Sequence, residues 1–204
     1  MNYNTLAKKE AVDKVVQALA ARNVGALVVE NASEALLKIK ELIPKGASIM
    51  NGSSTTLEQI GFVDYLKGGE HGWNNLHEGI IAEKDPGRQA LLRKQGVLSD
   101  YYLGSVHALA ETGQFVIASN SGSQLPHIVF TSPNLIFVVS TKKIVPTLAD
   151  AYKRLEEHVI PLEEKHMQDK YGVGTFPSKV LTFNAERQSK RKVLMILVNE
   201  DLGF

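Results

Sequence analysis

The sequence predicts an α/β fold in which a mostly parallel sheet is flanked by helices, and three observations predict it. The first is a strand, helix, strand succession within residues 26–50, which is the parallel βαβ arrangement of an α/β protein. The second is a set of amphipathic segments with apolar residues at helical spacing, beginning with Leu6, Val12, Val15, Val16 and Leu19, which need a sheet to cover. The third is a set of short apolar runs at 115–118, 135–140 and 193–198, of strand length and spread along the chain.

Taken in order, residues 5–22 form a first helix, ended by Asn23 and Gly25. Ala26-Leu-Val-Val-Glu30 is a buried strand, and Asn31 with Glu34 three residues on reads as a capping box for a helix that Pro44 and Gly46 close. Ala47-Ser-Ile-Met50 is the next strand. A helix over 56–66 is expected to break at Gly61, and one over 86–95 opens with Asp85 as cap and Pro86 at the first helical position. Residues 68–75 have turn composition. A short helical or turn segment is expected at 105–113, then strands at 115–118 and 135–140. A long helix starts at Thr147 and carries Ala151, Leu155 and Val159 on its apolar face until Pro161 interrupts it. The runs 179–183 and 193–198 are expected to form a C-terminal hairpin added to the sheet, joined by a solvated turn at Ser189-Lys-Arg-Lys192.

The chain of 204 residues is 44% apolar, enough for one domain over 1–204. A net charge of +1 without a one-sign run argues against nucleic-acid binding and against a polybasic membrane patch. Cysteine is absent, which excludes disulfides and thiolate metal sites. Residues 1–10 lack an apolar signal core and no run approaches membrane-spanning length, so a cytoplasmic location is expected.

Three segments carry candidate chemistry. Asn51, Gly52, Ser53, Ser54, Thr55 and Thr56 lie between a strand and a helix, where free amides and the helix dipole favour an anion. Thr55 with Glu58 also makes a T-x-x-E box that satisfies the same amides, and both readings stand. Glu111, followed by Thr112 and Gly113, is a carboxylate at the entry to a buried strand, where a general base or an acyl nucleophile can sit, and where a solvated turn residue can sit equally well. His107 precedes it by four residues, which on a helix puts both on one face as an acid and base pair. The polar loop with Ser121, Gly122, Ser123 and Gln124 follows a strand, and Lys142 and Lys143 follow the next; ligands gather at such carboxyl ends. His71 and His77 flank Trp73 without a metal-ligand pattern, so no metal is expected, and no tightly bound cofactor.

Asp100-Tyr-Tyr-Leu-Gly-Ser-Val-His-Ala-Leu-Ala-Glu-Thr-Gly-Gln-Phe-Val-Ile resembles the central signature of the LUD (lactate-utilisation) domain family, and residues 196–204 resemble the ending of one of its branches. The resemblance implies a fold similar to the sugar-phosphate isomerases, deaminases and CoA-transferases, with the small-hydroxyl loop at Ser53 beside the pocket and Glu111 in the setting where the CoA-transferases hold their nucleophile. Two departures stand out. The arginine that many LUD sequences carry near Gly122 is absent, leaving Lys142 or Lys143 as compensating cations, and residues 176–183 keep only a trace of the run found in the lactate-oxidation subunits.

The expected function is binding of a small anionic metabolite, accessory to organic-acid (lactate) utilisation, with iron–sulfur or oxidoreductase partner subunits and homo-oligomerisation as further expectations. A CoA-transferase-like or isomerase-like enzyme using Glu111 and a non-catalytic subunit of a multiprotein complex are the alternatives. The enzyme reading makes a definite prediction: Glu111→Gln abolishes turnover while the melting temperature barely moves, and a variant as active as the parent refutes it.

Overall fold

The computed structural model describes residues 2–204. Helix α1 (Lys9–Ala20) leads into β1 (Gly25–Val29) through Asn23 at φ 57, a left-handed turn that asparagine tolerates. Helix α2 (Ala32–Leu42) follows, and the Asn31 side chain accepts a hydrogen bond from the Glu34 amide at 3.0 Å, as the capping pattern predicts. β2 (Ser48–Asn51) comes next, then α3 (Thr55–Gln59) and α4 (Phe62–Lys67), divided at Gly61 with φ 77. The cap of α3 is Ser54, whose hydroxyl accepts from Leu57 at 3.3 Å, and not the expected Thr55. Next come β3 (Asn74–Asn75), α5 (Leu76–Ala82) and α6 (Pro86–Gln95), the last capped by Asp85 through the Arg88 amide at 2.7 Å.

The second half of the chain comprises β4 (Tyr101–Gly104), β5 (Ala108–Ala110), β6 (Phe115–Ser119), β7 (Asn134–Ser140) and β8 (Ile144–Val145). Helix α7 (Leu148–Arg154) runs through a π-turn at Leu155–Val159 into α8 (Ile160–Tyr171). Pro161 therefore does not interrupt the helix; the wider turn ahead of it takes up the missing donor and the ring's bulk. β9 (Lys179–Phe183) and β10 (Lys192–Val198) complete the set.

Six strands form a wholly parallel sheet in the order β1-β10-β7-β4-β2-β3. The other four form a second sheet, β8-β5-β6-β9, in which β6 runs antiparallel to both neighbours. The expected hairpin of 179–183 with 193–198 does not exist. β9 is an edge of the second sheet, paired with β6, and β10 is an interior strand of the first. A run of six apolar residues with no alternation belongs to a parallel strand buried on both faces. The basic knot between them is a turn with Ser189, Lys190 and Lys192 exposed, as expected, although it closes no hairpin, and one of its members is not solvated. Arg191 is buried, pairs with Glu186 at 2.9 Å, and donates to the carbonyls of His127, Ile128 and Ser132.

Each face of the large sheet has its own core. Val12, Val15 and Leu19 of α1 pack with Leu135, Phe137 and Val139 of β7 and Val193, Met195 and Leu197 of β10. On the other face Ala35 and Ile39 of α2, with Leu57, Phe62 and Trp73, meet Ile136, Val138, Ile196 and Val198. The odd and even residues of the same strands thus serve opposite layers. A third cluster joins Ala108, Val116 and Val145 of the second sheet to Ala151, Leu155 and Val159.

The segment expected as helix or turn at 105–113 holds no helix: 108–110 are the short strand β5, paired antiparallel with β6, Leu109 opposite Phe115, and Glu111 and Thr112 form the expected turn before β6. Ala108, Leu109 and Ala110 are all fully buried, and such a run is sheet interior. Its turn is docked on α1, where Gly113 at φ 86 comes so close that a Cβ would lie 2.9 Å from the Ala18 backbone. Gly113→Ala is expected to cost about 1–3 kcal/mol, from left-handed strain together with the displaced helix, read as a lowered urea midpoint; an unchanged midpoint refutes this docking.

Candidate functional site

The carboxyl ends of β2, β4, β7 and β10 all open toward one place, as the rule for parallel sheets requires. There the loop after β2 (Gly52, Ser53, Ser54, Thr55, Thr56), the one after β4 (Ser105, Val106, His107), Lys143 after β7 and Gly203 after β10 line a cavity of about 480 Å³. The loop after β6 (Asn120, Ser121, Ser123, Gln124) closes one side, and Leu155, Val159, Ile160, Glu163 and Met167 make the opposite wall. That volume lies within the range of small-molecule sites.

The hydroxyl-rich side is held firmly. Gln124 accepts from the Tyr102 hydroxyl at 3.1 Å and donates to the Ala118 carbonyl at 3.0 Å, so both ends of its amide are fixed. Gly52 packs against this pair so tightly that a Cβ would sit 2.5 Å from the tyrosine oxygen. Ser121 donates to Ser123 at 3.0 Å, across Gly122, whose left-handed φ of 84 allows the turn. Asn51 is buried just below, its Oδ1 without a hydrogen-bond partner.

Lys143 is the basic group at the cavity floor. It is 4% exposed, and its Nζ donates to Thr56 Oγ1 at 3.0 Å, Ser105 Oγ at 3.1 Å and the Val106 carbonyl at 3.3 Å. All three are neutral oxygens. Burial, followed by the charges of Arg154 and Lys142, pushes its pKa well below the usual lysine range. Arg154 is fully buried, donates to the His107 carbonyl, and leaves its Nε and second terminal nitrogen unpartnered; burial lowers its pKa to about 10. Among the described residues neither cation has a carboxylate in ion-pair reach, whereas their neighbour Lys142 is bonded to Asp201.

His107 sits at the start of β5 with Nδ1 accepting from the Ala118 amide at 3.1 Å. That bond leaves Nε2 to carry the proton of the neutral ring. Burial and the charges of Lys143 and Arg154 hold its pKa down to about 3, so it is a neutral hydrogen-bond donor and not a cation.

Glu111, Thr112 and Gly113 are not part of the cavity. They form the turn at the far end of β5, four residues or about 13 Å of strand from His107. There Glu111 faces Lys14 of α1 at 3.4 Å, and the Thr112 carbonyl accepts from Arg22 at 2.7 Å. The expected face-sharing of His107 and Glu111 needs a helix, and the segment between them is a strand. The remaining expected residues divide similarly: Ser53 to Thr56, Ser121, Ser123, Gln124 and Lys143 converge on the cavity, and Asn51 and Gly122 support it from behind. Sequence reasoning missed Ser105, Arg154, Glu163 and Gly203. A signal existed for Glu163, which follows Leu155 and Val159 at four-residue steps on one helix stripe; Arg154 gave none, since a buried unpaired arginine has no pattern. His71 is a core residue, stacked on Trp73 with ring centroids 5.4 Å apart. Among the described residues no group of three or more His, Asp or Glu could hold a metal ion, and no helix is long and apolar enough to cross a membrane.

Fold and site together define an α/β protein with a cavity at the carboxyl edge of a parallel sheet. The family model of the LUD domain matches residues 12–198, and the chain belongs to that family. No curated protein matches it in sequence. Among solved structures it is similar to a DUF162 family protein from Deinococcus radiodurans, with a TM-score of 0.56, 10% identity and coverage of 96% of this chain and 100% of that one. Ribose 5-phosphate isomerase A from Neisseria gonorrhoeae gives a TM-score of 0.42 at 12% identity, covering 85% of this chain and 94% of that one.

The two suppressed histidines make a pH prediction. His107 and His127 stay neutral in the folded protein down to about 3 and about 4, the latter through burial beside Ser99 and Ser132. The unfolded chain protonates both near pH 6.5. Between these values the unfolded state binds more protons, so stability falls as pH drops from about 6.5 to about 4. A series of melting temperatures across that window checks this, with a shallower slope expected for His107→Asn.

Proposed function

We propose that this protein binds a small organic or phosphorylated anion in the cavity and serves organic-acid utilisation, lactate included, in an accessory capacity. The observation that carries the reading is Lys143, a buried basic group lining the cavity with the buried Arg154 close behind it, neither of which, among the described residues, has a carboxylate in ion-pair reach. A buried charge is costly unless paired, and an anion entering the cavity is the partner Lys143 lacks, while Arg154, which does not line the cavity, adds positive potential from behind. Hydroxyls and amides at Ser53, Ser105, Ser121, Ser123 and Asn120 supply donors for its oxygens. The aliphatic wall of Leu155, Val159 and Ile160 excludes water from the same space, which strengthens each electrostatic contact.

The family's link to lactate utilisation supports the metabolic setting. With no cysteine in the chain, any iron–sulfur electron transfer in that setting falls to a partner subunit. Glu111 has no part in the ligand site on this reading, because its carboxylate is engaged with α1.

Thermal melting against lactate, pyruvate, ribose 5-phosphate and inorganic phosphate tests the proposal. A ligand at 100 times its Kd stabilises the native state by about 2.7 kcal/mol, and at least one of these anions is expected to raise the melting temperature. Lys143→Met, which removes an uncompensated buried charge, is expected to melt no lower than the parent while losing that rise. An equal rise in parent and variant refutes the role of Lys143.

A further inference from the structure

We infer that Lys143 is a covalent carbonyl-capture residue, whose amine condenses with the ketone or aldehyde carbon of an anionic metabolite to form an imine. The inference rests on the anion reading above and names the substrate class for that same cavity: a carbonyl compound that carries a carboxylate or a phosphate. It goes further in giving the lysine a chemical step in addition to a charge.

Four features of the site favour it. The Nζ is surrounded by neutral oxygens alone, Thr56 Oγ1, Ser105 Oγ and the Val106 carbonyl. A lysine built as a permanent cation is normally given a carboxylate, and the adjacent Lys142 has one in Asp201. Two of the three oxygens are hydroxyls, which can donate as well as accept, so they can serve the lone pair of a neutral amine as readily as the protons of an ammonium. Like charge is close: Arg154 and Lys142 both act on Lys143, and with burial they favour its uncharged form. Desolvation combined with a neighbouring cation is a recognised way to make a lysine nucleophilic at neutral pH. Finally, His107 lines the same cavity with its ring fixed by the Ala118 amide, leaving Nε2–H as a donor for the oxygen that gains charge when a carbonyl is attacked.

The step balances without any outside oxidant or reductant. The Nζ lone pair forms the C–N bond while the carbonyl π electrons move to oxygen, which His107 Nε2–H stabilises by hydrogen bonding. Two protons leave nitrogen, relayed through the Thr56 and Ser105 hydroxyls, and both end on that oxygen. The C–O bond then breaks, water departs, and the imine remains. Gly203 belongs to this arrangement as a spacer, since a Cβ there would lie 2.2 Å from Thr56 Oγ1 and 2.8 Å from Nζ.

The test is reductive trapping. The whole protein is incubated at about pH 7 with sodium cyanoborohydride and either pyruvate or dihydroxyacetone phosphate, then read by intact mass and by peptide mapping, with thermal shift measured in parallel for each probe. The expected result is a single saturable adduct mapped to Lys143 in the parent, with total adduct formed at least tenfold more slowly in Lys143→Arg, which has a basic side chain but no amine nucleophile. Trapping by pyruvate assigns a 2-oxo acid, and trapping by dihydroxyacetone phosphate a phosphorylated carbonyl compound. A thermal shift with no adduct on Lys143 overturns the covalent role and leaves the anion site standing. Adducts scattered over surface lysines, at the same rate in parent and variant, also overturn it. Neither shift nor adduct with either probe overturns the carbonyl-capture role, and the anion reading falls with it only if lactate, ribose 5-phosphate and inorganic phosphate also give no shift. Mapping of the parent protein decides the matter even if the arginine variant does not fold.

Discussion

The parallel insertion of β10 between β1 and β7 is the constraint on which the rest of the structure depends. Five residue pairs join it to β1 and seven to β7, so the strand from the far end of the sequence ties the edge strand β1 to the rest of the sheet. Its side chains divide between the layers, Val193, Met195 and Leu197 to the α1 side and Ile196 and Val198 to the α2 side. Neither core closes without it. The same insertion carries Lys192 to Val198 in register with Asn134 to Ser140, which delivers Asp201 to Lys142 and Gly203 to Thr56 and Lys143. Arg191 fixes the entry to the strand by gathering three carbonyls around 127–132 and pairing with Glu186.

A sheet completed this way can hold charge where charge is costly. Lys143 and Arg154 sit buried among strands and helices, and among the described residues no carboxylate lies in ion-pair reach of either. Each is a local violation of the pattern that the rest of the chain obeys, and such violations concentrate where a protein meets its ligand. The surrounding order is consistent with that assignment: Gln124 is fixed at both ends, His107 is locked in one tautomer, and Gly52 and Gly203 admit backbone where any side chain would collide. The polar side of the cavity is hydrogen-bonded in place, and the opposite wall is largely aliphatic with Glu163 and His166 among it.

The contrast between Glu111 and Lys143 shows what sequence patterns carry. Glu111 stands before a glycine at the mouth of an apolar run, a setting shared by reactive carboxylates and by ordinary hairpin turns, and only the antiparallel pairing of β5 with β6 tells them apart. The pairing sends the turn to α1 and the other end of the strand, with His107, to the cavity. Lys143 and the Ser53 loop were legible because both follow apolar strand-length runs, and parallel strands present their carboxyl ends together. Arg154 was not legible, since its helix position resembles that of any solvated arginine and its burial is a product of the second sheet folding over α7.

By itself the sequence determined the class of fold, most element boundaries, the caps at Asn31 and Asp85 and the loops that contribute hydroxyls, because each follows from interactions within a few residues of chain. Family membership was legible in the motif around 100–117 for the same reason. Strand order, the division into two sheets, the interior place of β10 and the company Lys143 keeps were decided by the tertiary structure alone. These depend on contacts between segments as far apart as Thr56 and Gly203, and a local pattern of apolar and polar residues specifies that a strand must be buried without specifying between which neighbours.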